Sequence, residues 1–165
     1  MPTYTPTVVL PLSVYGAAAM NAYVGELFLP GTPGLSSTTP LTRGDPANTD
    51  PNRTQICTGF TALPAGNLYG VVNDSCDEYP FASSQQSGAV FGVAGQNCLE
   101  IVPTQNANGT WTFKFRNMYT ASYPQVCVRG HVNNDQNTSV GRALQSVYVA
   151  NRMMIGDPYT VQVTN

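Results

Sequence analysis

The most regular pattern of apolar and polar positions lies in residues 111–116, where the two kinds of side chain alternate. The aromatic side chains share one face and the polar ones share the other: Trp111, Phe113 and Phe115 against Thr112, Lys114 and Arg116. This period of two predicts a strand with an aromatic core face and a basic outer face. An apolar run at 98–102 and a turn at 106–109 precede it, so the sequence predicts a β-hairpin over 98–116.

Two longer segments carry patterns typical of helices. Residues 13–29 contain an alanine run, which favours a helix, and apolar residues recur three to four positions apart in 139–152. Further strands are predicted at 7–12, 125–132 and 159–163. Helices and strands do not alternate regularly, so we expect an α+β fold: a small, mostly antiparallel sheet with packed helices, stapled by disulfides.

A proline-rich segment separates the first predicted helix from the rest of the chain. Residues 30–54 hold five prolines with Gly and Thr between them, which predicts a loop. The loop is too long to be a bare connection, so we expect it to pack on the body of the protein or to carry function. The length of 165 residues suits one domain.

Charged residues make up only 10% of the chain, and the net charge is −2. These values exclude a coiled coil and a highly basic nucleic-acid coat protein. Seven acidic and two basic residues lie in 1–109, whereas five basic and two acidic residues lie in 110–165. This division suits a cation site beside a polyanion track, although so few charges also divide this way by chance.

Four cysteines form no CxxC pair, which argues against a structural zinc site. Of the three possible pairings we favour Cys57–Cys76, which closes a local loop, and Cys98–Cys127, which would link two predicted strands. Two disulfides indicate a secreted, extracellular protein; the alternative is four buried thiols in a cytosolic one. The apolar segment 7–30 is interrupted by polar residues and proline, so we expect neither a signal peptide nor a membrane span there.

The segment with the most chemistry is Ser75–Ser83, which holds the adjacent carboxylates of Asp77 and Glu78. Adjacent side chains of an extended backbone point in opposite directions, so the two carboxylates do not share one task. Glu100 lies in the apolar run 98–102, where a charge costs stability unless it is paired or binds a metal. The alternative is that Glu100 faces water from an edge strand. Carboxylate and amide oxygens are the ligands that hard divalent cations prefer.

The motif CDEYPFAS at 76–83 resembles the signature of the NucA/NucB-type deoxyribonucleases. LEIVP at 99–103 is similar to the family's Glu-bearing strand, and 130–163 resembles its C-terminal pattern of an Asn, a spaced Gly, a helix and a final strand. Residues 41–57 look like the lead-in of longer members. Residues 1–40 have no counterpart, so we expect an N-terminal arm and helix that pack as one domain with a nuclease-like part at 41–165.

The resemblance implies a metal-dependent, non-specific endonuclease that hydrolyses DNA with Mg²⁺ or Mn²⁺. It implies central roles for Asp77 and Glu100 and matches the family's asparagine before the helix to Asn137, so we expect these three residues to form the metal site. Glu78 would support that site or position the attacking water. His131, the only histidine, suits proton transfer near neutral pH, although a surface histidine at a strand end is equally typical.

Basic residues near these positions are the candidates for binding DNA phosphates. They are Lys114, Arg116, Arg129 and Arg142, with Arg43 and Arg53 of the 30–54 loop as the next candidates. Arg142 falls in the first turn of the predicted helix 139–152, where exposed N–H groups also favour anions.

Three functions remain open at this point. The first is an extracellular deoxyribonuclease that acts on DNA with no membrane partner. The second is the nuclease toxin tip of a larger delivered protein, which a cognate inhibitor protein would accompany. The third is a disulfide-bonded binding module that has the fold without the catalysis.

Overall fold

The computed structural model describes residues 4–117 and 125–165. The helices are α1 (Leu12–Phe28), α2 (Thr49–Cys57) and α3 (Asn134–Ala150). The strands are β1 (Thr7–Pro11), β2 (Leu41–Thr42), β3 (Asp74–Tyr79), β4 (Leu99–Gln105), β5 (Trp111–Phe115), β6 (Val128–Asn133) and β7 (Pro158–Thr164). Single 3₁₀ turns lie at Pro46–Asn48, Gly88–Phe91 and Gly95–Asn97. Within these residues, no helix has both the length and the apolar character needed to cross a membrane.

Two mixed sheets form in the described part of the chain. One has the order β1-β7-β2 and the other the order β3-β6-β4-β5. The β1–β7 and β4–β6 pairs are parallel, and the other three pairs are antiparallel. Disulfides join Cys57 to Cys76 and Cys98 to Cys127. The predicted α+β class, the hairpin of β4 and β5, and the favoured disulfide pairing are therefore confirmed.

Helix α1 lies at the centre of the fold and packs against both sheets and α3. Its alanine run, Ala17–Ala19, is buried, because small side chains let a helix approach a sheet closely. Gly16 interrupts the helical geometry with φ 48° and ψ −120°, a conformation that favours glycine. The kink brings the Ala17 amide within 2.9 Å of Gln136 Oε1 and so ties α1 to the first turn of α3.

Two sequence predictions of local structure are wrong at their boundaries. Helix α3 begins at Asn134, not at 139, because the Asn133 side chain caps it by accepting from the backbone N–H groups of Asp135 and Gln136. The predicted loop 30–54 ends in α2, a helix that starts at Thr49 and buries only Ile56. Neither helix start carries an apolar pattern, so periodicity did not indicate them.

The aromatic face of β5 is less buried than predicted. Phe113 and Phe115 pack edge-to-face on Phe28 of α1, with ring centroids 5.8 and 5.9 Å away. Phe115 remains 46% exposed. The face therefore covers the end of α1 and does not form the centre of the core.

Candidate active site

A cleft of about 710 Å³ runs along the edge strand β3, between α2 and α3. We call it the β3–α3 cleft. Eight of its lining residues carry a charge or a side-chain amide: Arg43, Arg53, Asp77, Glu78, Asn134, Asn137, Arg142 and Gln145. The cleft thus combines carboxylates on β3, amides on α3 and arginines on both sides.

Asp77 lies on the face of β3 that α1 covers. Its side chain is 6% exposed, and its Oδ2 accepts a hydrogen bond of 3.2 Å from Asn21 Nδ2 on α1. Burial raises the pKa of Asp77 well above its usual value, and the neighbouring charge of Glu78 adds to this, while the Asn21 hydrogen bond opposes it. A cation or a transferable proton at this carboxylate would relieve the cost of burying its charge.

Asn137 reaches the cleft from the first turn of α3. Its Nδ2 donates to Ser75 Oγ at 3.1 Å and to the Cys76 carbonyl at 3.0 Å. Ser75 Oγ in turn donates to the Val132 carbonyl, which fixes this arrangement to the sheet. Both amide hydrogens are therefore used on β3, and among the described residues Oδ1 accepts no hydrogen bond. That oxygen remains available to a ligand.

Glu78 borders the cleft from the opposite side of the strand, as the alternation of an extended backbone predicts. It is 5% exposed, and one of its oxygens lies 3.6 Å from Arg53 Nε. Burial raises the pKa of Glu78 to about 7, and the Arg53 charge opposes this. The sulfurs of Cys57 and Cys76 are near this carboxylate but are joined in a disulfide, so the three groups do not form a metal site.

Three arginines give the cleft a positive rim. Arg142 projects from α3 and donates to Ser139 Oγ at 3.0 Å. Arg43 donates to the Met153 carbonyl and lies 5.1 Å from the centre of the Tyr148 ring. Arg53 of α2 makes the Glu78 contact. The rim matches the phosphates of a polyanionic ligand.

A second charged cluster, the Glu100 network, lies on the other face of the four-stranded sheet. It consists of Asp74, Glu100, Arg129 and His131. Glu100 accepts from Arg129 Nε at 3.1 Å and lies 3.1 Å from His131 Nε2, while His131 Nδ1 lies 2.7 Å from Asp74 Oδ2. The hydrogen bond with His131 lowers the pKa of Glu100 to about 2, and Arg129 contributes in the same direction against the effect of burial. The ring of Phe60 packs on the ring of His131, with the two ring centroids 4.5 Å apart.

The strand register shows why the two carboxylates are separated. Asp77 is opposite Gly130 on β6, whereas Glu100 is opposite Arg129, and neighbouring residues of a strand point to opposite faces. The structure therefore brings Asp77 and Asn137 to one cleft and places Glu100 beyond the sheet. The two carboxylates therefore point to opposite faces of the four-stranded sheet.

The structure also divides the predicted DNA-binding residues. Arg142 lines the cleft, together with Arg43 and Arg53. The others lie on the sheet face that carries the Glu100 network: Arg129 is buried, Arg116 lies 3.8 Å from Glu100, and Lys114 lies over the Tyr69 ring. Arg142 is also not in a first turn, because α3 starts eight residues earlier. The predicted track on β5 does not border the cleft.

Sequence reasoning missed one residue of the site, Asn21. The available signal was a polar residue inside a helix whose other residues in 17–22 are alanine and methionine. A polar residue in such an apolar helix segment is either exposed to solvent or buried with a hydrogen-bonding partner.

The fold and the cleft define a small, disulfide-bonded α+β protein with a buried carboxyl group beneath an anion-attracting rim. A family model described as Deoxyribonuclease NucA/NucB matches residues 32–126. The chain therefore belongs to this family of deoxyribonucleases, as the motif at 76–83 predicted. A search among curated proteins gave no match. The matched segment contains β3 and Asp77, whereas α1 and α3 lie outside it.

Proposed function

We propose that this chain is a metal-dependent endonuclease that hydrolyses DNA phosphodiester bonds in the β3–α3 cleft. The observation that carries the proposal is the meeting of Asp77, from the family's motif, with the unpartnered Oδ1 of Asn137 in one arginine-rimmed cleft. DNA as substrate follows from the family. The Glu100 network is not assigned to the reaction, because it lies on the other face of the sheet.

The residues of the cleft fit a divalent cation. A carboxylate oxygen of Asp77 and Oδ1 of Asn137 are hard oxygen donors, and Mg²⁺ is often bound by one or two protein oxygens with water and substrate phosphate completing its shell. When bound, the ion supplies charge stabilisation at the phosphoryl oxygen and a more acidic water. Mn²⁺ accepts the same donors.

Asp77 has two possible roles in this chemistry. It supplies an oxygen ligand to the ion, or it accepts the proton of the attacking water, a role that the rise of its pKa on burial favours. Asn at this position still ligates but does not accept a proton. Asp77→Asn and Asp77→Ala therefore distinguish the two roles: equal losses of activity indicate the base, and a smaller loss in the Asn variant indicates the ligand.

The arginines bind the substrate in this proposal. Arg142 is exposed, and its one side-chain hydrogen bond to another residue of 4–117 and 125–165 goes to the Ser139 hydroxyl, so it can contact a phosphate. Arg53 and Arg43 are partly engaged by Glu78 and by the Met153 carbonyl, and they extend the positive rim on the other side. Their charge orients the phosphodiester backbone towards Asp77.

Two disulfides support secretion as part of the proposal, because such bonds persist in oxidising compartments. The nuclease would then act on extracellular DNA. Detection of the folded, oxidised protein in culture medium tests this point.

The central experiment is digestion of supercoiled plasmid with Mg²⁺ or Mn²⁺, with and without chelator. We expect cleavage that chelator abolishes, and losses of at least roughly 10²-fold in Asp77→Ala and Asn137→Ala. Lys114→Ala is the matched control, since it removes a charge outside the cleft. Cleavage that is unaffected by chelator, or a folded Asp77→Ala variant with full activity, contradicts the proposal.

A further inference from the structure

We propose that Asn21 is a positioning residue that holds the Asp77 carboxylate in its working orientation. The inference rests on the proposed function, because it assigns Asn21 a task through Asp77. It places part of the active site on α1, which lies outside the segment that the family model matches.

The first observation is the contact itself. Asn21 is fully buried, with 0% exposure, on a helix whose neighbouring side chains are alanine and methionine. Its Nδ2 donates to Asp77 Oδ2, and no other side chain among the described residues hydrogen-bonds to that carboxylate. Towards the ionised Asp77 carboxylate the amide has one favourable orientation, since a flip would put its oxygen against a carboxylate oxygen. Asn21 therefore restrains rotation of the Asp77 carboxyl group from the α1 side, in addition to the hydrogen bond from the Glu78 backbone.

The second observation is the space that β6 leaves for this side chain. Gly130 lies opposite Asp77 in the strand register. A Cβ atom at Gly130 would lie 2.3 Å from Asn21 Oδ1 and 2.7 Å from its Cγ, far inside van der Waals contact. Gly130 lies in a regular strand, so glycine is needed at this position for the space it leaves and not for its backbone conformation. Gly130 thus forms the recess into which Asn21 inserts.

The third observation concerns the other half of the amide. Asn21 Oδ1 is buried and meets no hydrogen-bond donor among the described residues. An apolar side chain of the same size would fill this position without burying an unpaired oxygen. Stability therefore does not account for the amide, whereas its Nδ2 contact with the motif carboxylate does.

Loss of Asn21 should lower the turnover rate and leave DNA binding nearly unchanged. The arginine rim holds the DNA, so loss of Asn21 leaves KM nearly unchanged. The reacting groups lose their alignment, and misplacement of this kind lowers kcat by up to about 10²-fold. A residue that served only folding would instead change the fraction of active protein in proportion to the loss of stability.

The test uses Asn21→Leu and Gly130→Ala in the full chain, with plasmid cleavage and melting curves measured together. Asn21→Leu removes the donor, and Gly130→Ala displaces an intact Asn21 from its recess. Glu26→Gln is the matched control, a buried polar residue on the same helix that lines a different groove. We expect kcat to fall roughly 10- to 10²-fold in both test variants while their KM stays nearly unchanged. The activity of the control variant should equal that of the parent. Asn21→Asp, which has the same size, replaces Asn21→Leu if that variant does not fold.

A double variant separates this inference from the proposed function. In the Asp77→Ala background, Asn21→Leu should cause no further loss, because the residue it positions is gone. Full multiplication of the two losses overturns the positioning role. Equal kcat in the parent and a folded Asn21→Leu variant also overturns it, while Asp77 keeps its assignment. Full activity in Asp77→Ala overturns the proposed function itself.

Discussion

Replacing Glu100 by glutamine should cost the protein stability and leave its chemistry almost intact. The resemblance predicted a catalytic role for this residue, but its carboxylate pairs with Arg129 and His131 on the sheet face away from the cleft. Both partners are buried, with side chains 6% and 1% exposed. Glutamine keeps the shape of the side chain and removes the charge, so it leaves two buried donors without their anion.

The size of the effect follows from the pKa of Glu100. The folded protein lowers this pKa from 4.5 to about 2. At about 1.4 kcal/mol for each pH unit, the network stabilises the ionised form by roughly 3 kcal/mol. Loss of one partner from a buried ion pair typically costs about 3–5 kcal/mol, so the two routes agree. The free energy of unfolding at pH 7 should fall by this amount in Glu100→Gln.

The stability difference between the parent and Glu100→Gln should depend on pH in a direction that can be checked. The folded-state pKa lies below the ordinary value, so the stabilisation is complete above pH 4.5 and disappears as the pH falls towards 2. Urea denaturation of the parent and of Glu100→Gln between these limits should therefore show the two unfolding free energies converging at the acid end. Plasmid cleavage, measured where both proteins are folded, should differ little.

One result would refute this reasoning about the Glu100 network. A Glu100→Gln variant as stable as the parent but at least about 10²-fold less active would place the carboxylate in the reaction. The reacting cleft would then have to lie on the face that carries His131, and not along β3.

Three further predictions address other parts of the molecule. Burial raises the pKa of Glu26 from 4.5 to about 8, so ionisation of this carboxyl group opposes folding increasingly as the pH rises above 4.5. In urea denaturation at pH 8, the free energy of unfolding of Glu26→Gln should therefore exceed that of the parent by roughly 3–4 kcal/mol. Equal stability of the two proteins at pH 8 contradicts the raised pKa. In chelator, Arg142→Ala should flatten the slope of log DNA affinity against log salt by about 0.9, whereas Lys114→Ala should not; equal slopes remove Arg142 from the track. Replacing Cys98 and Cys127 by alanine should lower the unfolding free energy by about 3–4 kcal/mol, and four free thiols in the intact mass of the parent would exclude both disulfides.

Local patterns predicted the parts of the fold that local forces decide. Alternation over 111–116 indicated a strand because one face of β5 packs on α1 and the other is open to solvent. The disulfide pairing followed from a short loop and from two strands expected to be neighbours. The start of α3 escaped prediction because a cap at Asn133 and the five polar residues 134–138 define it, and these carry no apolar period.

The candidate site depended on long-range order that no local pattern contains. Asp77 and Glu100 belong to separate faces because β6 lies between β3 and β4 and pairs parallel with one and antiparallel with the other. A family motif indicates which residues matter but not which face they share. Asn21 escaped prediction because its partner is 56 residues away in the chain.

The pairing of β1 with β7 has a consequence for the order in which the fold assembles. Thr7 lies beside Thr160, so the first strand of the three-stranded sheet finds its partner only when a strand 153 positions later in the chain is in place. Until then, the sheet lacks its central strand and α1 lacks part of the surface against which it packs. The helix that carries Asn21 is therefore fully seated only once β7 has paired with β1, so this long-range contact precedes a complete cleft.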